Sequence, residues 1–292
     1  MTASTKATAD EATADGQVTA STAGVLRRDE FARHVALGRR PAVPQAARWV
    51  ENQWSLAWDL PAGKVFSSHV LAHPTCSLTV EIGSHPRPGM PPAETVVVTG
   101  VATRRFDVQT CGWGRVVGLR FRPGGLAALT GRAASAWTGR TLPAHELLTA
   151  ELCEALADPD LVNCPDQWAS VAQAGVVAAA EHCDIDTRYD DLLDVIADML
   201  ADRSLISVAD VARRHGVTVR TLQRLFTHYV GVGPKWVLAR YRMHDVITEI
   251  DDGYDGTLTD LAHRYGWYDQ AHFTRDFSAL VGVAPGQYRD RL

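Results

Sequence analysis

The sequence predicts an α+β chain: a β-rich front domain followed by an all-α C-terminal domain of two helix-turn-helix units joined by a linker helix. Three observations predict it. Strand-like runs bounded by Gly and Pro fill the front part, at Ser77–Ile82, Thr95–Val101, Phe106–Gln109 and Val116–Phe121. Apolar residues then switch to helical spacing, first at Leu147, Leu148, Leu152, Ala155 and Leu156, then at Leu192, Leu193, Ile196, Ala197 and Leu200. Finally, the last third repeats itself. SVADVARRHG at Ser207–Gly216 is echoed 50 residues on by TLTDLAHRYG at Thr257–Gly266, and GVGP at Gly231–Pro234 is echoed 51 residues on by GVAP at Gly282–Pro285.

The 292 residues, 46% hydrophobic and 22% charged, suffice for two domains with separate cores. Residues 1–24 are polar and low in complexity, without periodic apolar positions, and are expected to form a disordered tail. A regulatory or sensory domain is expected over 25–185 and a DNA-binding domain over 190–292, with its two units at about 207–229 and 257–281. No run approaches the roughly 18 apolar residues of a membrane span, and the N-terminal stretch has no basic segment followed by an apolar one; neither membrane insertion nor secretion is predicted. The five cysteines are odd in number and scattered, which fits free thiols in a reducing cytoplasm.

A net charge of −5 excludes a uniformly basic nucleic-acid binder, so a DNA site must come from local charge. Acidic residues crowd the segment 151–203, whereas the helix expected at Val219–Tyr229 holds Arg220, Arg224 and His228 and no acid.

Within the first repeat, Ser207 and Asp210 form a capping box, Val208, Val211 and Ala212 supply an inner face, and Gly216 ends the helix at a turn. Thr257, Asp260, Leu258, Leu261, Ala262 and Gly266 repeat the pattern. Thr218 then caps a second helix that places Val219, Leu222, Leu225, Phe226 and Tyr229 on one face. Arg220, Thr221, Gln223, Arg224, Thr227 and His228 are left on the other. Those are residue types that read DNA: Arg pairs bidentately with guanine, Gln with adenine, and Thr reaches a phosphate or a thymine methyl. In the second unit Asp269 is the cap, Phe273 and Phe277 face inward, and Gln270, Ala271, His272, Thr274 and Arg275 face outward. Asp269 and Asp276 flank Arg275 and weaken that face for base reading. Pro234 starts the linker helix, which runs to about Ile250 and is long enough to set two modules near successive major grooves. A fragment starting near Asp190 is accordingly expected to bind DNA without the front domain.

The repeat, LQRLF at Leu222–Phe226, GWYDQAHFTRDF at Gly266–Phe277 and GVAPGQYR at Gly282–Arg289 resemble the DNA-binding domain of AraC/XylS regulators. That resemblance covers about 90 residues. It implies a bacterial, cytoplasmic, nucleoid-associated transcription regulator with double-stranded DNA and RNA polymerase as partners, activation or repression staying open. VGLRFRPGG at Val117–Gly125, GVATRRF at Gly100–Phe106 and WDLPAG at Trp58–Gly63 resemble the uncharacterised sensory domain often fused to such modules. This second resemblance implies a cupin-like or related β-rich domain controlled by a small-molecule effector or acting through homodimerisation.

The alternative from another class is a cupin-like metal-binding enzyme domain fused to a DNA-binding module. His69, His73 and His85 are the nearest approach to a cupin set, without its H-x-H and following Glu; Cys153, Cys164, His182 and Cys183 lack zinc-site spacing. No catalytic set, metal or cofactor is therefore expected. Arg104, Arg105, Arg120 and Arg122 are the candidates for an anionic effector pocket. Trp49, Trp54, Trp58 and Trp113 are read as core or as pocket wall.

Overall fold

The computed structural model describes residues 24–85, 87, 89–91, 95–183 and 186–291. The expected tail lies outside the described residues except for Gly24, which is buried and accepts a hydrogen bond from Leu71 N at 2.7 Å.

The front domain opens with a short helix α1 (Arg28–Ala32) and continues through β1 (Ala36–Pro41), β2 (Val50–Asp59), β3 (Val65–Val70), β4 (Ser77–Gly83), β5 (Val96–Thr99), β6 (Phe106–Cys111) and β7 (Trp113–Phe121). Helix α2 (Gly125–Thr130) and strand β8 (Thr141–Pro143) follow, then helices α3 (Ala150–Leu156), α4 (Pro159–Val162) and α5 (Pro165–Glu181). The strands form one six-stranded antiparallel sheet, ordered β1-β2-β7-β4-β5-β8, and a separate pair β3-β6.

Period-two alternation gives the large sheet two different faces. Leu78 and Val80 of β4 and Val117, Leu119 and Phe121 of β7 point into a core completed by Trp168, Ala169, Ala172 and Val176 of α5. The intervening residues, Ser77, Thr79 and Glu81 of β4 and Val116 and Arg120 of β7, turn the other way and line a cavity. Strands β1, β2, β3 and β8 and helix α5 were not among the sequence expectations. Their apolar residues are interleaved with polar ones such as Asn52, Gln53 and Gln173, of which the last two are paired internally: Gln173 accepts from Val43 N at 2.7 Å and donates to Gln53 at 2.9 Å.

The C-terminal helices are α6 (Thr187–Ala201), α7 (Val208–Arg214), α8 (Val219–Tyr229), α9 (Pro234–Asp251), α10 (Leu258–Arg264), α11 (Gln270–Val281) and α12 (Pro285–Arg289). Helix α6 starts three residues ahead of 190, capped by Asp186. Leu222, Phe226, Val211 and Ala212 of the first unit belong to the same core as Phe121, Trp137 and Trp168 of the front domain. The second unit has its own core, Phe273, Phe277, Leu261, Trp267 and Tyr288, completed by Met243, Val246, Ile247 and Ile250 of α9 and by Leu26 and Leu71 of the front domain. The sharing of the first core removes the premise that both units pack without the front domain. Helical periodicity reveals an apolar face but not which element covers it.

Candidate nucleic-acid interface and front-domain cavity

Each helix-turn-helix unit is built by its caps. Ser207 Oγ accepts from Asp210 N at 3.2 Å while Asp210 Oδ2 accepts from Ser207 N at 3.2 Å, closing the capping box of α7. Thr218 Oγ1 accepts from Thr221 N at 3.1 Å to start α8. In the second unit Thr257 accepts from Asp260 N at 3.0 Å and Asp269 from His272 N at 2.7 Å. Each such cap satisfies an N–H that the helix itself leaves open.

Helix α8 buries Leu222, Phe226 and Tyr229 and leaves Arg220, Thr221, Gln223, Arg224 and Thr227 exposed. His228 is half-buried, its ring edge-on to Tyr229 at 4.7 Å. Val219, expected on the inner face, is 39% exposed, because the first turn of α8 projects beyond the core. Neither Arg220 nor Arg224 has a hydrogen bond or ion pair among the described residues, so both guanidinium groups keep their donors open.

Helix α11 is differently occupied. Gln270, Ala271, His272 and Arg275 are exposed and Thr274 is half-buried. Gln270 accepts from Thr259 Oγ1 at 2.7 Å, and His272 lies 3.3 Å from Asp276, which also accepts from Trp267 Nε1 at 2.8 Å. Two of the outward polar groups are thus engaged within the unit. Tyr268, 86% exposed beside the N-terminus of α11, was missed in the sequence. Its place just before the Asp269 cap was the available signal.

Between the large sheet and β3-β6 lies a cavity of about 1050 Å³. Of the four candidate arginines, Arg120 lines it. Arg104 is exposed elsewhere; Arg105 forms a two-pronged pair with Asp107 and donates to Val281 O at 2.6 Å; Arg122 donates to Ala47 O at 2.6 Å. The sequence missed Arg39 and His73 as further cationic or polar lining groups, since nothing in the order of residues brings them to the cavity wall. Trp54, Trp58 and Trp113 line the cavity, whereas Trp49 packs against the core. Trp54 and Trp58 stand directly across from Gly118 and Gly114 in the β2-β7 register; a side chain at Gly114 would collide with the Trp58 indole, and one at Gly118 would crowd Thr79, Leu78 O and Trp54 together.

His69 pairs with Asp107 at 2.7 Å, His85 contacts Ser84 at 3.2 Å, and His73 stacks on His244. Among the described residues no three His, Cys, Asp or Glu side chains come together as a metal-binding group. Cys153, Cys164 and Cys183 take part in no disulfide.

Two family models match the chain: "Helix-turn-helix domain" over 211–291 and "Domain of unknown function (DUF6597)" over 39–143. The C-terminal unit is a helix-turn-helix domain of the AraC type, set behind that uncharacterised domain. A putative AraC-like transcription regulator of Streptomyces lividans is 32% identical over 83 residues, covering 28% of this chain and 27% of that protein. A probable thc operon regulatory protein of Rhodococcus erythropolis is 29% identical over 145 residues, covering 46% and 43%. The chain therefore spans less than half the length of these two relatives. Among solved structures, ToxT of Vibrio cholerae with a bound unsaturated fatty acid aligns with 15% identity over 82% of this chain and 95% of that one, at a TM-score of 0.41.

Proposed function

We propose that this protein is a sequence-specific DNA-binding transcription regulator in which α8 reads base edges and the front domain controls the outcome. The observation that carries the reading is the outward face of α8: Arg220, Gln223 and Arg224 stand exposed on a helix anchored from behind by Leu222 and Phe226. Arg and Gln are the side chains that discriminate G·C and A·T pairs in the major groove. Helix α11, with His272 and Gln270 engaged internally, serves more as a backbone contact that fixes register. Linker helix α9, 18 residues or roughly 27 Å long, holds the two units at a fixed separation.

The matched helix-turn-helix model and the relatives named as regulators support this reading. RNA polymerase as a partner, a cytoplasmic location and self-association through the front domain belong to the same proposal. So does control by an effector, which the cavity supports. No helix among the described residues is long and apolar enough to cross a membrane. The test is selection of bound duplexes from a random pool with the full chain. A recovered consensus supports the reading; enrichment of no sequence over background overturns it.

A further inference from the structure

We propose that the front-domain cavity binds a small organic anion with an apolar body, its charged end held by Arg120 and His73 and its body lying between Trp54, Trp58 and Trp113. The inference rests on the reading of the chain as an effector-controlled regulator and names the class of effector.

The cavity's walls are segregated. Trp54, Leu56 and Trp58 of β2, Val116 of β7 and Phe106 and Val108 of β6 give an apolar and largely aromatic body. The glycines of β7 create that body, because only a bare backbone at Gly114 and Gly118 lets two indoles lie across the strand. Further along the same face of β7 the next inward position is Arg120, opposite Ser77 of β4, which is itself opposite Thr99 of β5. This rung of hydrogen-bonding side chains forms a polar end.

Two groups at that end are left with unmet capacity. Arg120 Nη1 is buried without a hydrogen-bond partner, and so are both ring nitrogens of His73, a residue only 4% exposed. A buried donor without a partner is costly, so these groups are poised to take an acceptor that enters the cavity. Guanidinium offers donors alone, and a neutral imidazole offers one N–H. The occupant's polar end must therefore accept, and a carboxylate or sulfonate accepts most strongly from guanidinium. Burial, the neighbouring His244 and the guanidinium groups of Arg120, Arg39 and Arg240 hold the His73 imidazole well below its ordinary pKa, which reports a positive surrounding. At the far end Glu81, the one carboxylate among the described lining residues, is already paired with Arg87 at 2.9 Å and does not oppose an anion.

The polar end also adjoins the DNA-binding half. His73 stacks on His244 of α9 at 3.9 Å with the rings 4° from parallel, so an occupant touching His73 is one side chain from the helix that joins the two units.

The experiment titrates the full-length protein with two fluorescent probes of similar apolar body. One is the anionic 1-anilinonaphthalene-8-sulfonate and the other the uncharged N-phenyl-1-naphthylamine. The anion is expected to bind at least tenfold more tightly than the neutral probe. Arg120→Met should weaken the anion at least tenfold and leave the neutral probe within twofold, and Arg120→Lys should restore most of the loss. Should Arg120→Met not fold, Ser77→Glu supplies an internal carboxylate across from Arg120 and is expected to expel the anion while retaining the neutral probe. Equal affinity for both probes, or anion binding indifferent to Arg120→Met and Ser77→Glu, overturns the proposal. Enrichment of a DNA consensus by the unliganded chain is read separately, so failure of the anion site and failure of the regulator reading are distinct results.

Discussion

Arg105 of the front domain donates to the carbonyl of Val281 at 2.6 Å, at the C-terminal end of α11. The last carbonyls of a helix carry its negative dipole end and have no partner within the helix, so a guanidinium there serves as a cap. The same side chain holds Asp107 from a second direction, at 2.5 and 2.9 Å, and so ties β6 to α11.

Arg105→Ala is therefore expected to loosen the second unit from the front domain. The Asp107 carboxyl, held below its ordinary range first by the Arg105 hydrogen bond and then by His69, should move back up. Hydrogen exchange at the amides of 281–284 should accelerate, while that of α8 should not. Unaltered exchange at 281–284 would show that the contact does not hold the unit.

Arg224→Ala is expected to cost about 1–3 kcal/mol of specific DNA affinity and to relax preference at one base pair, the value of a bidentate base contact. Arg275→Ala and His272→Ala should cost less, given the Asp276 carboxylate beside them. Affinities on a selected duplex and on its single-base variants measure both. A larger loss from Arg275→Ala would reverse the assigned roles of the two units.

Two buried groups should give stability a pH dependence of opposite sign. His73 has a folded pKa depressed by burial first, then by His244 and the nearby arginines, so the unfolded chain binds a proton that the native chain refuses. Stability should fall as pH drops below about 6.5, by about 1.4 kcal/mol per pH unit for the one proton. Asp245 behaves the other way: burial raises its carboxyl to about 6 despite Arg203 at 2.8 Å. The native chain thus takes up a proton between 6 and the ordinary carboxylate value, which adds stability as pH falls through that window. Urea unfolding between about pH 5 and 7.5 tests the pair: His73→Gln should flatten the loss near 6.5, and Asp245→Asn should remove the gain below 6. Parallel pH profiles for wild type and both variants would count against these assignments.

Much of the architecture was legible in the sequence because it is written in local chemistry. Ser207 with Asp210, Thr218, Thr257 and Asp269 are cap residues whose function needs only neighbours three positions away. Strands β4, β5, β6 and β7 were legible as strand-like runs bounded by Gly and Pro. Helix α5 was not, since its Ala-rich face and buried Gln173 show no sharp stripe. The outward face of α8 could be drawn from helical spacing alone. The cavity could not: Arg120 was one of four arginines in similar Gly-bearing surroundings, and only the pairing of β7 with β2 and β4 separates it from Arg122, which is tied to Ala47 O. His73 carries no local signal, because His244, on which it stacks, and the nearby Arg120 charge are brought by tertiary packing.

The division of cores predicts unequal consequences of removing the front domain. In a fragment comprising 186–292, the second unit keeps Phe273, Phe277, Leu261, Trp267 and its α9 partners, losing the cover of Leu26 and Leu71 and the Arg105 cap on Val281 O. The first unit loses more. Val230 and Tyr229 face the core that holds Trp137 and Leu126, Thr138 no longer donates to Gly231 O at 3.0 Å, and Tyr189 loses the Arg48 carbonyl that it reaches at 3.0 Å. Each large apolar side chain stripped of cover costs about 1.5–3 kcal/mol, so a few of them together approach the whole stability of a small domain, about 5–15 kcal/mol. Hydrogen exchange on the fragment is expected to retain protection in α10 and α11 and to lose it in α8, with DNA affinity reduced although every candidate base-reading residue is present. Protection in α8 equal to that in the full chain would show that the first unit needs no front domain, and that its shared core is contact without dependence.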